Sequence, residues 1–476
     1  MTVQDTTYDN TPLPMPDNVP GEHEADVQDM FDTWHTVRGR NEELRRYYRQ
    51  HNPMVEISRD DVTATSVHET VGWCKAVVDS MAARSQFDGY LFEGVQDRDF
   101  DRLVNRNRID SDLYQKCLVS SLIYGVGFLS VMKGSAFQPA KVRAYSAQQG
   151  CGLYDKDEDG LACGVVLSGT DRDGKANRYT AFWPDSVVTF SYNESTSHWD
   201  SSVQENGIGE MLLVPMVFEP DCDRPLGHSR ITPEVMRTTD RAMRQLRNLD
   251  VGCESYIWPQ RWMMGVDSDL FEKHDEDGNV IGVNKTRREV YQGRILALTR
   301  DEDGNVPTVG QFAQASVEPI VTAYEQAAQQ ISGASHIPMN ELGVLSSNYT
   351  SSEALSASTN ALVLDVERMN RRNAATMEQV ARLMMCVAWG ITPEQMNETQ
   401  RRMFDTVAAS FRDPSMPTAA AVADAQMKLG TADKRYPTTR TFWESVGWPK
   451  SKIDRYEAEV NEASAIAALN QIASQM

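Results

Sequence analysis

Thr350-Ser351-Ser352-Glu353 reads as a capping box, in which the Thr350 hydroxyl and the Glu353 carboxylate satisfy each other's free N–H groups. It opens a helical pattern that continues to Trp389-Gly390. At ~1.5 Å per residue this helix is about 55 Å long, far beyond the usual globular helix. A small domain does not bury a rod of that length. Such a helix crosses a large assembly or leans on neighbours for support.

The chain ahead of it alternates between helices and a β-rich excursion. Thr232-Pro233-Glu234 is a helix start: Thr232 caps, Pro233 loses nothing at the first helical position, and Glu234 suits the positive end of the dipole. Val235, Met236, Met243, Leu246 and Leu249 then share one side, and Arg237, Arg241, Arg244 and Arg247 the other. Four arginines on one face are what a solvated surface also gives; a phosphate-facing stripe is the sharper reading. From Met264 to Ala313 short β-type runs are punctuated by Asp277-Gly278 and Asp303-Gly304, which are hairpin signals. A second helix over 316–332 carries Val317, Ile320, Tyr324 and Ile331 on a packing seam, with Gly333 expected to break it. Ser335 to Tyr349 has no period and is expected to be an irregular loop.

Upstream, Met1 to Gly21 is proline-rich and poor in apolar residues, which predicts a mobile arm. Helices are expected over 24–49, with Met30, Phe31, Trp34 and Val37 inward, and over 66–84, 97–106 and 109–124. Strands are expected near 89–92 and 127–132, then repeatedly between Lys141 and Phe190, with Asp159-Gly160 and Asp173-Gly174 as turns. That mixture implies an α+β domain. Beyond Gly390 the pattern is all-helical: one helix from Thr392-Pro393-Glu394 to Phe411, then 418–429, 439–446 and 450 onward, with Pro414 and Pro417 marking a boundary.

The remaining chemistry is sparse. Net charge is −21, which counts against a sequence-reading DNA binder but leaves room for a conduit with a repelling wall. Seven scattered cysteines, never spaced CxxC, argue for a reducing compartment, for buried thiols and against zinc. No apolar run approaches a membrane span, and the N-terminus lacks a signal pattern. No phosphate-cradling GxxxxGK[ST] loop, HExxH, GxSxG or GxGxxG occurs. Asp155-Lys156-Asp157-Glu158-Asp159-Gly160 imitates a calcium loop, but Val166 stands where a bidentate Glu is required, so an acidic hairpin turn is expected. His336 has no nucleophile or acid partner in the sequence and reads as a loop histidine. No enzyme chemistry, cofactor or metal site is expected.

Several segments do resemble one family. Val214-Pro215-Met216-Val217-Phe218-Glu219-Pro220 followed by Gly227-His228-Ser229-Arg230-Ile231 and a helix is similar to a run of tailed-phage portal proteins. Ile337-Pro338, Leu342-Gly343, Asn348-Tyr349-Thr350-Ser351 and Glu353-Ala354-Leu355 are similar to a second run. Leu44-Arg45-Arg46-Tyr47-Tyr48 with His51 and Pro53 resembles the family's opening, although Gln50-His51-Asn52-Pro53 lacks the expected Gly. The resemblance covers roughly 35–410.

It implies a helix-rich α+β portal fold, divided as a mobile arm 1–25, a wing 26–230, a first stem helix 231–263 and a clip 264–314. A second stem helix 315–334, a tunnel loop 335–349, a long wing helix with its successor over 350–410, and a helical crown 411–476 complete it. It implies a dodecameric ring of this chain at one capsid vertex, a virion component assembled in the host cytoplasm. Double-stranded DNA would pass through without sequence recognition. The other implied partners are the terminase large subunit, major capsid and scaffolding proteins, and an adaptor or head-completion protein. On that mapping Arg237, Arg241, Arg244 and Arg247 face the channel. Asn340, Glu341, Leu342, Gly343, Val344, Leu345, Ser346, Ser347, Asn348 and Tyr349 form the tunnel loop, and Val317, Ile320, Tyr324 and Ile331 pack subunits together. A capsid or tail-assembly protein without a DNA channel, and a metal-dependent DNA-processing enzyme using the acidic clusters, stay open at this point.

Overall fold

The computed structural model describes residues 13–51, 70–93, 98–257, 261–264, 272–274, 280–283, 308–311, 316–344, 352–415, 419–433, 435–446, 448, 452–453 and 455–461. The chain divides into two compact units, Met1–Phe411 and Arg412–Met476.

The first unit opens with α1 (Glu24–Arg49), its first turn acidic and its last turn basic as the helix dipole favours. Val27, Met30, Phe31 and Trp34 are buried, and then Asn41, Glu42 and Leu44, whereas Val37 is exposed. The inward stripe drifts round the helix, so the expected place of Val37 on it is corrected. Next come α2 (Trp73–Arg84), β1 (Phe87–Leu91), α3 (Arg98–Asn107), a π turn (Ile109–Leu113) and α4 (Tyr114–Tyr124). The helix expected over 66–84 starts at Trp73, after Gly72; positions 66–69 lie outside the described residues.

Six antiparallel pairings then build two sheets rather than one. β2 (Val126–Ser135) lies between β3 (Gln138–Ser146) and β9 (Leu213–Val217). The strands β4 (Gly150–Asp155), β5 (Gly160–Thr170), β6 (Ala176–Phe182), β7 (Ser186–Asn193) and β8 (His198–Glu205) form a five-stranded meander. The acidic Asp155–Gly160 stretch is the β4–β5 turn. β4, β8 and β9 were not expected from the sequence.

Two cores follow from the two sheets. In one, α1 lies on the meander, and Trp34, Tyr179, Phe190 and Trp199 are buried together. The N-terminal segment closes it. Leu13, Met15 and Val19 pack against this core, His23 stacks on Trp183 at 3.9 Å, and Asp17 accepts from the Trp199 N–H at 2.9 Å. The expected mobile arm is therefore a strap from Leu13 onward, held by apolar contacts that its proline-rich composition concealed; residues 1–12 lie outside the described residues.

The strap has a pH dependence of definite sign. The hydrogen bond from His198, then that from the Trp199 N–H, hold the Asp17 carboxyl below the usual carboxylate range. A depressed carboxyl contributes above its unfolded pKa, near 4, and the contribution is lost as pH falls through the lower folded value. In a protein labelled with 15N-tryptophan, the Trp199 amide shift is expected to titrate with a midpoint below 3.8. A midpoint at or above that value contradicts the contact.

The larger core joins β2, β3 and β9 to α2, α4 and a very long helix, α7 (Ser352–Trp389), of 38 residues. Before it come α5 (Pro233–Ile257) and α6 (Glu318–Ser335). Leu362, Val366, Met369, Met377, Val380 and Met384 recur on the buried side of α7. A polar cluster ties its middle down. Ser85 Oγ donates to Asn370 Oδ1 at 2.6 Å, and Asn373 Nδ2 donates to the Tyr114 hydroxyl at 3.0 Å, all buried. The rod thus leans on its own chain along much of its length. Thr350 and Ser351 of the expected capping box lie outside the described residues.

One helix from Thr392 to Phe411 is also corrected. A single 3₁₀ turn, Pro393–Gln395, ends at Met396; Asn397 then caps α8 (Glu398–Thr406) by accepting from Gln400 N–H at 2.9 Å. The chain next extends as β14 (Ala408–Phe411), antiparallel to β1. The ladder and the Phe87–Phe411 edge contact at 5.4 Å outweigh helix continuation there.

The second unit holds α9 (Ala419–Ala432) and α10 (Arg440–Ser445). Trp443 packs on Trp448 at 4.4 Å and on Tyr456 at 5.0 Å, and Lys452 lies 3.9 Å over the Trp448 ring. The helix passes through Gly430 and so outlasts the expected stop at Leu429.

Candidate functional site

The strand β9 leads into the site. Phe218 is buried, and Gly227 then turns the chain with φ 80°, where a Cβ would stand 2.3 Å from the Phe218 carbonyl oxygen. Only glycine fits so close an approach. Arg230 follows, 8% exposed. Its Nε donates to the Val77 carbonyl and its Nη2 to the Ser335 carbonyl, both at 2.8 Å, while its backbone N–H donates to Leu122 O at 2.9 Å. Burial pulls the guanidinium pKa down, and nearby Asp365 and Glu219 oppose that shift. Arg230, at the start of α5, thus joins α2 and the end of α6 through its buried cation and α4 through its backbone N–H. Ser335 supplies a helix-terminal carbonyl that has no partner within its own helix.

Thr232 caps α5 as expected, its Oγ1 accepting from Val235 N–H at 3.3 Å. Val235, Met236, Thr238, Thr239, Ala242 and Met243 are buried. Arg237 is exposed, and Arg241, Arg244 and Arg247 are half-exposed. The partner helix α6 runs antiparallel, since Arg241 and Glu234 meet Gln330 near its end while Gly252 meets Val317 near its start. Arg241 Nη2 donates to Gln330 Oε1 at 2.7 Å, and Gln330 Nε2 to Glu234 Oε1 at 2.9 Å.

These side chains surround an open pocket of about 410 Å³, lined by Glu234, Arg237, Thr238, Arg241, Arg244 and Gln330. Three guanidinium groups face one carboxylate there, a local positive excess in a chain of net charge −21. Such a surface attracts anions, and arginine's fork suits phosphate oxygens. Arg247 continues the face one turn on but does not line the pocket.

The residues assigned to subunit packing stand differently. Ile331 is fully buried within its own chain, beside Ala327 and Ala328, and Tyr324 packs at a tilt on Trp73 at 5.0 Å. Val317 and Ile320 lie beside Gly252 of α5. The seam therefore joins α6 to α5 and α2; Ile331 is wholly buried within its own chain, while Val317, Ile320 and Tyr324 keep part of their surface. Gly333 does not end α6, which runs to Ser335; His336 ends it instead, with φ 55°. Its Nδ1 lies 2.7 Å from Asp365 Oδ2 on α7.

The expected irregular loop is ordered in its first part. Ile337 and Leu342 are buried, and Met339–Leu342 is a 3₁₀ turn ended by Gly343 with φ 80°. Trp73 Nε1 donates to the Leu342 carbonyl at 3.0 Å, and Arg84 pairs with Glu341 at 2.9 Å. Asn340 and Gly343 are exposed while Val344 is buried. Leu345, Ser346, Ser347, Asn348 and Tyr349 lie outside the described residues. So do most of the positions between α5 and α6. Among the described ones there, β10 (Arg261–Met264) pairs with β13 (Thr308–Gln311), and β11 (Glu272–His274) with β12 (Val280–Val283) across Asp277-Gly278.

Sequence reading passed over Arg230 and a second basic run, Arg368, Arg371 and Arg372. Arg368 and Arg371 are exposed on α7, and burial lowers the Arg372 pKa while Glu219 opposes it. The spacing i, i+3, i+4 was the available signal for this run. Of the seven thiols, Cys222 and Cys253 are exposed and the other five buried.

A family model described as phage portal protein, SPP1 Gp6-like, matches residues 29–465. Two curated relatives, the portal proteins of Mycobacterium phage D29 and Mycobacterium phage L5, are each 30% identical, over 244 and 226 residues. The matched stretches are 51% and 47% of this chain and 46% and 43% of those relatives, so the chain spans less than half the length of either. Among solved structures, a chain of the virion of a native gene transfer agent particle matches at 13% identity and TM-score 0.41, covering 86% of this chain and 93% of that one. A chain from the neck of a native gene transfer agent particle computed with C12 symmetry matches at 12% identity and TM-score 0.41, covering 83% and 95%. By the family match across most of its length, the chain belongs to the phage portal proteins of the SPP1 Gp6-like family.

Proposed function

We propose that this chain is the subunit of a twelve-membered ring at one vertex of a phage capsid, through which double-stranded DNA enters and leaves the head. Membership of the portal family supports the reading, and one observation gives it a chemical site. The paired helices α5 and α6 hold Arg237, Arg241 and Arg244 around an open, positively charged pocket in an otherwise acidic protein. Cations held this way meet phosphates one at a time, while a net negative wall keeps DNA from adhering along its length.

In this reading α5 and α6 are the stem, and the segment between them, 264–314, docks the terminase large subunit and later the adaptor. Asn340 to Tyr349 is the tunnel loop that meets DNA, anchored at its start where Glu341 pairs with Arg84 and the Leu342 carbonyl accepts from Trp73. The major capsid and scaffolding proteins surround the wing, and the second unit is the crown. The work is structural rather than enzymatic.

Copy number in purified virions tests this. Quantitative mass spectrometry is expected to find about twelve chains per particle, the content of one such ring. Hundreds of copies per particle, as a shell-forming protein has, would overturn the assignment.

A further inference from the structure

The β2–β3 hairpin runs on past the strand that flanks it. β9 pairs with β2 from Val126 to Ser130, whereas β3 keeps pairing with β2 out to Ser135 and Gln138. Ala136 and Phe137 make the turn, and neither takes the positive φ that favours Gly or Asn. Phe137 is 81% exposed, more than any other large hydrophobic side chain among the described residues. One exposed apolar residue is ordinary, but this one is held from behind. Asn107, buried at the end of α3, donates from Nδ2 to the Ala140 carbonyl at 3.0 Å. Its Oδ1 accepts from Val142 N–H at 2.9 Å and from Gln138 Nε2 at 2.6 Å. Arg106 donates to the Phe137 carbonyl itself. The arm is thus fixed before any partner arrives, which removes an ordering cost from binding. Its charge also departs from the rest of the chain. Residues 113–154 contain no Asp or Glu, in a chain with 68 of them. Lys133 and Lys141 are exposed near the tip, and Arg143 is exposed further down the ribbon.

We propose, on the ring reading above, that this arm is a contact between neighbouring subunits. Phe137 enters an apolar hollow on the next copy of the chain, and Lys133 and Lys141 meet carboxylates at its rim. Aromatic side chains fixed in place are what anchor protein interfaces. Charge selects the occupant. A second copy carries −21 overall, so its surface offers the carboxylates that the arm lacks. DNA phosphates would satisfy the lysines but leave Phe137 in water unless base pairs unstack to admit it, at a cost. A knob on one surface and its hollow on another make a head-to-tail contact, the kind that closes into a ring.

Photocrosslinking in assembled heads tests this, with the benzophenone amino acid p-benzoylphenylalanine in place of Phe137. Covalent dimers of the chain are expected, joining position 137 to an acid-containing segment of a second copy. Crosslinks to DNA, to another head protein or only within one copy overturn the proposal, as does their absence. Phe137→Asp is expected to lower the yield of rings at least about tenfold, as loss of an interface anchor does. Phe137→Leu is expected to retain most of it. The melting midpoint of the Phe137→Asp subunit should match the native one, because Phe137 packs on neither core. Full ring yield from Phe137→Asp overturns the contact and leaves the ring standing. Covalent dimers from a chain that forms no ring contradict the ring and leave the contact. If Phe137→Asp does not fold, the crosslink decides alone.

Discussion

Phage heads built with Arg237→Glu, Arg241→Glu and Arg244→Glu together are expected to lose most of their packaged DNA while their portal rings still form. The three substitutions turn a pocket of three guanidinium groups and Glu234 into one of four carboxylates. At about 4 Å in water each such charge contributes on the order of 1 kcal/mol with a phosphate, and reversal changes the sign. The effect repeats in every subunit. Arg→Gln at the same positions removes attraction without adding repulsion, so packaging is expected to fall between the reversed and native proteins. The stem should survive, because the side of α5 that carries Val235, Ala242 and Met243 is untouched. The measurement is full-length DNA per head beside native ring mass. Intact packaging contradicts a phosphate-facing pocket. Loss of the ring itself would mean that these arginines join subunits.

Arg230→Met is expected to destabilise the first unit by about 3 kcal/mol, since hydrogen bonds to charged groups contribute ~1.5–3 kcal/mol each and a buried carbonyl is left unpaired. The substitution keeps much of the side-chain stem and removes both donors, so lost packing adds little. Ser335 O at the end of α6 and Val77 O in α2 lose their common cation. Arg230→Lys is expected to recover less than half, because one ammonium group does not reproduce a guanidinium fork aimed at two helices. Calorimetric melting of the three proteins reads this, with the order native, Lys, Met. Equal midpoints for native and Met would show that Arg230 is not a junction.

How far the sequence carried this account depends on the range of the interactions. α5 was legible from Thr232 and Pro233, and the β11–β12 hairpin from Asp277-Gly278, because caps and turns are local chemistry. α7 was legible as a long helical pattern running to Trp389-Gly390. β8 was not, since His198-Trp199-Asp200-Ser201-Ser202 is polar enough for a loop and becomes a strand only by pairing with β7. β14 was hidden for the same reason: its partner β1 lies more than three hundred residues earlier. Gly333 read as a breaker, yet neighbouring Ile331 and Ser335 are buried and carry α6 past it.

The arginine face followed the same rule. Its spacing along α5 was visible, but its partner Gln330 is 89 residues from Arg241 in sequence. Nothing local announces that pocket. Arg230 stood inside a segment that resembled the family, and only the fold shows that it joins four helices. Val317, Ile320, Tyr324 and Ile331 were rightly apolar and periodic; a period states that a face is buried, not which chain buries it.

The central claim is a ring with a hole, and the native mass of the purified protein with end-on electron micrographs tests it most directly. Twelve subunits of 53.4 kDa make an assembly of about 641 kDa. A hollow particle of that mass, with twelvefold symmetry in end-on view, is the predicted result. A compact dimer or tetramer without a central opening would contradict it.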